Sequence, residues 1–180
     1  QISKELRIFS GNGGINVEIL KGFTFKNSTG MLYRTQRNNA FYTSESTTAK
    51  RSGAPTGNIA TSEAGRFQTS NTLQYNLRLK SGHKIDFLAG QEWVKTWTRT
   101  LGIPLSNFPD DQLGLNNISV ATPGILSSSF NDDDKLLSFF GRVYYNYKDK
   151  YMLTATVRAD GSSKFSKNNK WGYFPSVSAA

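Results

Sequence analysis

The sequence predicts an all-β fold: about six to seven antiparallel strands that form an open arc of a larger transmembrane β-barrel. Three observations support this. Apolar and polar residues alternate along much of the chain, short turns alternate with long polar stretches, and the composition is poor in aliphatic residues, with 37% hydrophobic residues, 13% aromatic residues and a mean hydropathy of −0.49. A membrane barrel tolerates this composition because its interior is polar and only alternate side chains meet lipid.

The clearest strands flank a three-residue turn at residues 148–150. One face of these two strands is apolar, and it carries Phe139, Gly141, Val143, Tyr145 and Tyr147, then Tyr151, Leu153, Ala155, Val157 and Ala159. The turn predicts a register that keeps this face on one side of the hairpin, as a half-buried sheet requires. The predicted pairs are Tyr147 with Tyr151, Tyr145 with Leu153, Val143 with Ala155, Arg142 with Thr156 and Ser138 with Asp160. The turn has no glycine, so Asp149 or a lysine must adopt a positive φ.

Two further turns also keep the apolar residues of the strands that they join on one face. Around residues 81–83 we expect Leu79 to pair with Ile85, and around residues 20–22 we expect Ile19 to pair with Phe23. Both turns contain glycine, which suits the left-handed positions of short hairpin loops.

Long polar stretches separate these hairpins, at residues 36–65, 99–135 and 162–174. They are rich in Ser, Thr, Asn, Gly and Pro, as loops are. Outer-membrane barrels alternate short periplasmic turns with long external loops. The long stretches are therefore predicted to be extracellular, and the three short turns periplasmic.

Aromatic residues occur at the heights that a membrane barrel needs. A tilted strand climbs about 2.5 Å per residue, so an apolar band of about 25 Å takes about ten residues. Trp93 lies ten residues beyond His83, and Trp97 lies four residues further along the same predicted strand. Gln91 and Lys95 fall on the nominal lipid face, which suggests a β-bulge near Gly90 that shifts the phase.

Charge and residue types exclude several classes of function. The net charge is +9 with a pI near 9.8, but the basic residues form no cluster or recognition helix, so nucleic-acid binding is disfavoured. The chain has no cysteine and one histidine, His83, so we expect no catalytic site, no metal site and no cofactor. The acidic run at residues 131–134 lacks the ligand spacing of a calcium loop and is interpreted as a solvated acidic loop.

Three charged residues share the predicted lumen face: Arg142, Arg158 and Asp160. They suit either a charged wall along a transport path or an ion-pair network that holds the wall against an internal domain. We favour the network, because an Arg-x-Asp pair on one face readily forms a local salt bridge.

The segment from Leu137 to Ser178 closely resembles a signature of the SusC/RagA-like family of TonB-dependent outer-membrane transporters of Bacteroidota. Its most specific parts are Arg158-Ala-Asp-Gly-Ser-Ser163 and Trp171-Gly-Tyr-Phe-Pro-Ser176. Weaker resemblances are found at Lys21-Gly-Phe-Thr-Phe25 and Phe87-Leu-Ala-Gly-Gln-Glu92. The resemblance covers nearly the whole chain except the long loops.

The resemblance implies energised import of an oligosaccharide, glycan fragment or peptide across the outer membrane, with a SusD-like lipoprotein as lid and TonB acting through a part of the protein not seen here. Residues 1–180 would then be part of the barrel, without the plug domain and the C-terminal strands. Substrate-contacting residues are expected at Phe41, Tyr42 and Trp97, because aromatic rings stack on sugars. A passive porin or structural barrel, or a surface adhesin β-sandwich, remains the alternative.

Overall fold

The computed structural model describes residues 1–166 and 169–180, and the side chains of residues 130–133 lie outside this description. Most of the described chain is strand. The elements are β1 (Ile2–Leu20), β2 (Phe23–Tyr42), α1 (Thr47–Ser52), β3 (Thr56–Arg78), β4 (His83–Ser106), β5 (Thr122–Pro123), β6 (Ser127–Tyr147), β7 (Tyr151–Ser162) and β8 (Trp171–Ala179).

The strands form one sheet in the order β1-β2-β3-β4-β6-β7-β8, and the two-residue β5 pairs with β4 beside this path. Strands that follow each other in the chain are therefore neighbours, as in an antiparallel meander. The order has two ends, and the described residues show no pairing between β1 and β8. The predicted fold class, an open antiparallel sheet of about six to seven strands, is confirmed. No helix of the described part is long and apolar enough to cross a membrane.

The hairpin of β6 and β7 has the predicted register. Tyr147 pairs with Tyr151, and the ladder continues to Leu136 and Ser162 without a bulge. The turn adopts positive φ at Lys148 (53°) and Asp149 (55°), which confirms that a lysine and the aspartate take the left-handed positions.

The turn between β3 and β4 lies one residue earlier than predicted, at residues 80–82 instead of 81–83. The backbone N–H of Leu79 donates to the carbonyl of His83 at 2.9 Å, so the predicted pairing of Leu79 with Ile85 is wrong by two residues. Left-handed conformations at Ser81 (φ 72°) and Gly82 (φ 84°) close the turn at this point, so His83 becomes the first residue of β4. A shift of two leaves each side chain on its predicted face.

The long polar stretches contain more strand than predicted. β2 continues to Tyr42, β3 begins at Thr56, β4 continues to Ser106 and β8 begins at Trp171, so the loop boundaries 36–65, 99–135 and 162–174 are wrong. The extension of β2 at residues 36–39 is polar on both faces, so it lacks the hydrophobic period that identifies a strand. In β4, by contrast, Leu101, Ile103 and Leu105 alternate with small or polar residues, a strand pattern that the predicted loop boundary overlooks.

The chain divides into two compact units. Unit 1 comprises Gln1–Phe9, Leu32–Gly65 and Trp97–Asp132. Its core is an apolar cluster of Phe41, Ile59, Leu105 and Phe108, with the rings of Phe41 and Phe108 packed edge to face at 5.1 Å. Asp111 accepts hydrogen bonds from the backbone N–H and the hydroxyl of Ser44, which fastens the segment after β4 to the end of β2.

Unit 2 comprises Ser10–Met31, Arg66–Thr96 and Asp133–Ala180. Its sheet has two different faces. We call the face with the exposed side chains of Val143, Leu153 and Val157 the outer face, and the opposite one the inner face. The inner face buries the polar residues Ser138 and Asn146. A polar, packed inner face and an exposed apolar outer face are typical of a barrel wall.

The suggested bulge near Gly90 is absent. Gly90 lies against the Phe140 ring and Glu92 bonds to Arg158, both on the inner face, whereas Gln91 between them bonds to Asn71 on the outer face. The phase is therefore continuous, and Gln91 is a polar residue on the outer face.

Candidate functional site

The guanidinium of Arg158, on the inner face of β7, bonds to side chains of three different strands. Its Nη2 donates to Oε2 of Glu92 at 3.0 Å and to Oγ of Ser138 at 3.0 Å, and its Nε donates to Oδ1 of Asp160 at 2.8 Å. These four residues form the Arg158 cluster. The cluster joins β4, β6 and β7 through side chains, in addition to the backbone ladder.

The register explains why these side chains meet. Ser138 pairs with Asp160 and Phe140 pairs with Arg158 across the hairpin, so the guanidinium lies 5.6 Å from the centroid of the Phe140 ring. The ring itself lies over Gly90 of the neighbouring strand, where a Cβ would overlap it. Glycine is therefore required at position 90 for the ring, and with it the guanidinium, to approach β4.

The cluster carries one cation and two carboxylates, so it has an excess of one negative charge. The side chains of Arg158, Glu92 and Asp160 are 36%, 30% and 26% exposed, which leaves them partly hydrated. Such half-exposed pairs stabilise a protein modestly, by up to about 1 kcal/mol each. The fully buried Ser138 hydroxyl has its partner in Arg158.

Of the three charged residues predicted to share this face, the structure brings two together. Arg158 and Asp160 bond directly, whereas Arg142 pairs across the hairpin with Thr156 and is not among the described partners of Arg158. Glu92 was not among the predicted site residues. The signal for it was the family-like segment Phe87–Glu92, but nothing local indicated that β4 and β6 would be neighbours.

The aromatic residues predicted to contact substrate lie in unit 1. Phe41 is 3% exposed in the apolar cluster, and Tyr42 is half-buried at the end of β2. The indole of Trp97 lies against Gly65, where a Cβ would overlap it. Their predicted role in substrate binding stays a prediction.

Two other groups of polar contacts in unit 2 each involve only two or three side chains. Asp134 forms an ion pair with Lys164 at 2.9 Å. The rest of the acidic run that was considered as a calcium loop, residues 131–133, has side chains that lie outside the described residues. His83 stacks on Tyr147 at 4.5 Å and its Nδ1 lies 2.8 Å from the hydroxyl of Tyr145, so it packs the turn region.

Comparison with known proteins decides the family. No family model matches the chain. Among curated proteins, the chain is 31% identical over 167 residues to TonB-dependent receptor P39 of Formosa agariphila, a match that covers 91% of the chain and 16% of that receptor. It is 55% identical over 42 residues to TonB-dependent receptor SusC of Bacteroides thetaiotaomicron, covering 23% of the chain and 4% of SusC. The chain belongs to the SusC/RagA-like family of TonB-dependent receptors.

Solved structures agree on the fold of this SusC/RagA-like segment. The RagAB peptide importer in its closed-closed state superposes with a TM-score of 0.88 over 99% of the chain and 20% of that chain, at 22% identity. The ferric preacinetobactin receptor BauA from Acinetobacter baumannii gives a TM-score of 0.52 over 99% of the chain and 28% of its own, at 12% identity. The chain thus spans about a fifth of the RagAB chain that it matches.

Proposed function

We propose that the chain forms part of the barrel wall of an outer-membrane TonB-dependent transporter. The observation that carries this proposal is the similarity to TonB-dependent receptor P39 across 91% of the chain. The two-faced sheet supports it, because an exposed apolar face opposite a packed polar face suits a wall between lipid and a polar lumen.

The substrate class that we propose is an oligosaccharide, a glycan fragment or a peptide, captured with a SusD-like lipoprotein. The similarity to SusC and the fold of the RagAB peptide importer support this class. Tyr42 and Trp97 are only half-buried, so each retains some exposed surface that a substrate would be able to contact. Phe41 would act indirectly, because its buried ring packs on Phe108 and so holds the segment that follows β4.

Energy coupling is tested in the full-length transporter. Deletion of its TonB-contacting segment should abolish uptake while the barrel stays folded, as judged by heat-modifiable migration in gels. Uptake that persists without TonB would contradict the proposal and favour a passive porin or structural barrel. Release of the protein from membranes without detergent would favour the adhesin.

For the Arg158 cluster we propose a structural role in tying β4, β6 and β7 together. Arg158→Met should lower the free energy of unfolding by about 1 kcal/mol, a value discounted for partial exposure, and leave the KM for uptake unchanged. The matched control is Arg142→Met on the same face. A raised KM with unchanged stability would instead place Arg158 on the transport path.

A further inference from the structure

Five polar side chains form a hydrogen-bonded chain on the outer face of β2, β3 and β4, which we call the amide ladder: Asn27, Thr29, Thr69, Asn71 and Gln91. Nδ2 of Asn27 donates to Oδ1 of Asn71 at 2.7 Å, and Nδ2 of Asn71 donates to Oε1 of Gln91 at 3.2 Å. The hydroxyls of Thr29 and Thr69 lie 2.9 Å apart and continue the ladder. Polar side chains are costly on a face toward lipid, so their clustering here indicates a function.

The amide ladder has a direction. Each amide nitrogen donates to the amide oxygen of the next residue, from Asn27 to Asn71 to Gln91. Gln91 is therefore the last residue of the amide ladder, and its side-chain N–H groups can donate to an acceptor outside the ladder. Because Asn71 and Gln91 both lie eight residues from their turn, their height above it is about 20 Å, close to the outer interface.

An apolar groove lies below the amide ladder on the same face. Its volume is about 660 Å³, and its lining includes Phe23, Leu73, Tyr75, Phe87, Gly141 and Ala155. The groove exists because Gly141 and Ala155, which lie on neighbouring strands, are small among aromatic and branched residues. Its residues lie mostly four to six positions from the turns, in the middle of an apolar band of about 25 Å, where lipid tails are the surrounding medium.

Basic and aromatic groups lie beside and above the amide ladder. Lys95 is four residues beyond Gln91 on β4, which places it on the same face, and the rings of Phe67 and Trp93 pack at 5.5 Å between these heights. From the middle of the band outward, the outer face thus presents an apolar groove, then amide donors, then a cation. This order matches an acyl chain, its ester or amide carbonyl, and an anionic head group.

We propose that the outer face of unit 2 binds one molecule of a phosphorylated, multiply acylated glycolipid of the outer leaflet. One acyl chain occupies the groove at Gly141, its linkage carbonyl accepts from the Gln91 amide, and a phosphate lies near Lys95. This site is separate from the proposed transport path, because it lies on the face opposite the polar inner face that would line the lumen.

The test is native mass spectrometry of the full-length transporter in detergent, titrated with purified lipid A and, separately, with phosphatidylglycerol. The wild type should hold one lipid A more tightly than phosphatidylglycerol. Gly141→Leu fills the groove, and it should weaken lipid A binding by about tenfold or more, because several buried methylenes are displaced. The open space around Gly141, whose added Cβ would meet nothing closer than 3.8 Å, accommodates the new side chain.

The matched control is Leu153→Phe, which also adds volume on the outer face but outside the groove, and it should leave binding unchanged. Gln91→Ala should weaken lipid A binding and leave phosphatidylglycerol binding less affected. If Gly141→Leu fails to fold, Ala155→Leu serves the same purpose. Equal affinity for both lipids, or equal losses in Gly141→Leu and Leu153→Phe, would overturn the proposal. Uptake is not measured, so failure here leaves the proposed transport function standing.

Discussion

The outer face of the β6–β7 hairpin and the outer face of β2–β4 use the same alternation but differ in chemistry. In the hairpin, residues from Phe139 to Val157 present apolar or small side chains at every outer position. In β2–β4 the outer positions begin apolar near the turns and become the amide ladder higher up. Alternation therefore determines which way a side chain points, whereas in the proposed barrel wall height in the bilayer and the available partners determine whether that side chain can be polar.

Arginine substitution gives the sharpest form of this comparison. Val157→Arg, on the hairpin's outer face in mid-band, should lower the free energy of unfolding by about 2–4 kcal/mol, while Gln91→Arg, near the interface, should cost about 0–1 kcal/mol. Urea unfolding of the full-length barrel in lipid vesicles measures both. The inner-face control Thr156→Arg should cost little. Equal losses at 157 and 91 would mean that the two regions lie at the same depth.

Two glycines, Gly90 on the inner face and Gly141 on the outer face, extend the comparison to both faces of the sheet. Gly90→Ala places a methyl group where the Phe140 ring lies, and it should lower the free energy of unfolding by about 1–3 kcal/mol, as overpacking does. Gly141→Ala on the outer face meets nothing closer than 3.8 Å and should be near neutral. The same unfolding experiment tests both variants, and a larger cost for Gly141→Ala would contradict the assignment of faces.

The hairpin was predictable to the residue because its signal is local. Alternation from Phe139 to Ala159 and a three-residue turn determine the register without knowledge of the rest of the chain. The displaced turn at Ser81 was missed because a serine with positive φ is uncommon, so nothing in the residue type indicates it.

Features that depend on distant residues were not predictable. β2 extends through polar sequence because its neighbours pair with it, and Phe41 is buried because Phe108, far along the chain, packs on it. Glu92 reaches Arg158 only because β4 and β6 become neighbours across a long connection. The polar side chain of Gln91 on the outer face suggested a bulge, because the sequence does not reveal that Asn71 is its hydrogen-bond partner.

Removal of one ladder residue gives a smaller effect. Asn71→Val takes away the acceptor of Asn27 and the donor to Gln91, and it should cost about 1 kcal/mol, the usual net contribution of such hydrogen bonds. Leu73→Val, two residues away on the same face and strand, is a control for lost contact area. A double-mutant cycle of Asn71 with Asn27 should show coupling, and simple additivity would mean that the amide ladder does not act as a unit.

The smallest expected effect is at the turn of residues 148–150. Hydrogen bonds from Lys84 and Asn146, together with the charge of Lys84, lower the pKa of Asp149 below its ordinary value of 3.8. A lowered pKa in the folded state stabilises the protein above the unfolded pKa, and this stabilisation is lost as pH falls through the folded pKa. Asp149→Asn should therefore be less stable than the wild type at pH 7, and the difference should shrink in acid below 3.8. A difference that grows on acidification would have the wrong sign.

The central claim, that this sheet is a barrel wall with lipid on its outer face, is tested most directly by single-cysteine labelling, which the absence of native cysteine makes simple. Cysteines at positions 153 to 158 of the full-length protein are reacted in intact outer membranes with a lipid-phase maleimide. We predict labelling at 153, 155 and 157 and protection at 154, 156 and 158. Equal labelling of 156 and 157 would contradict the account.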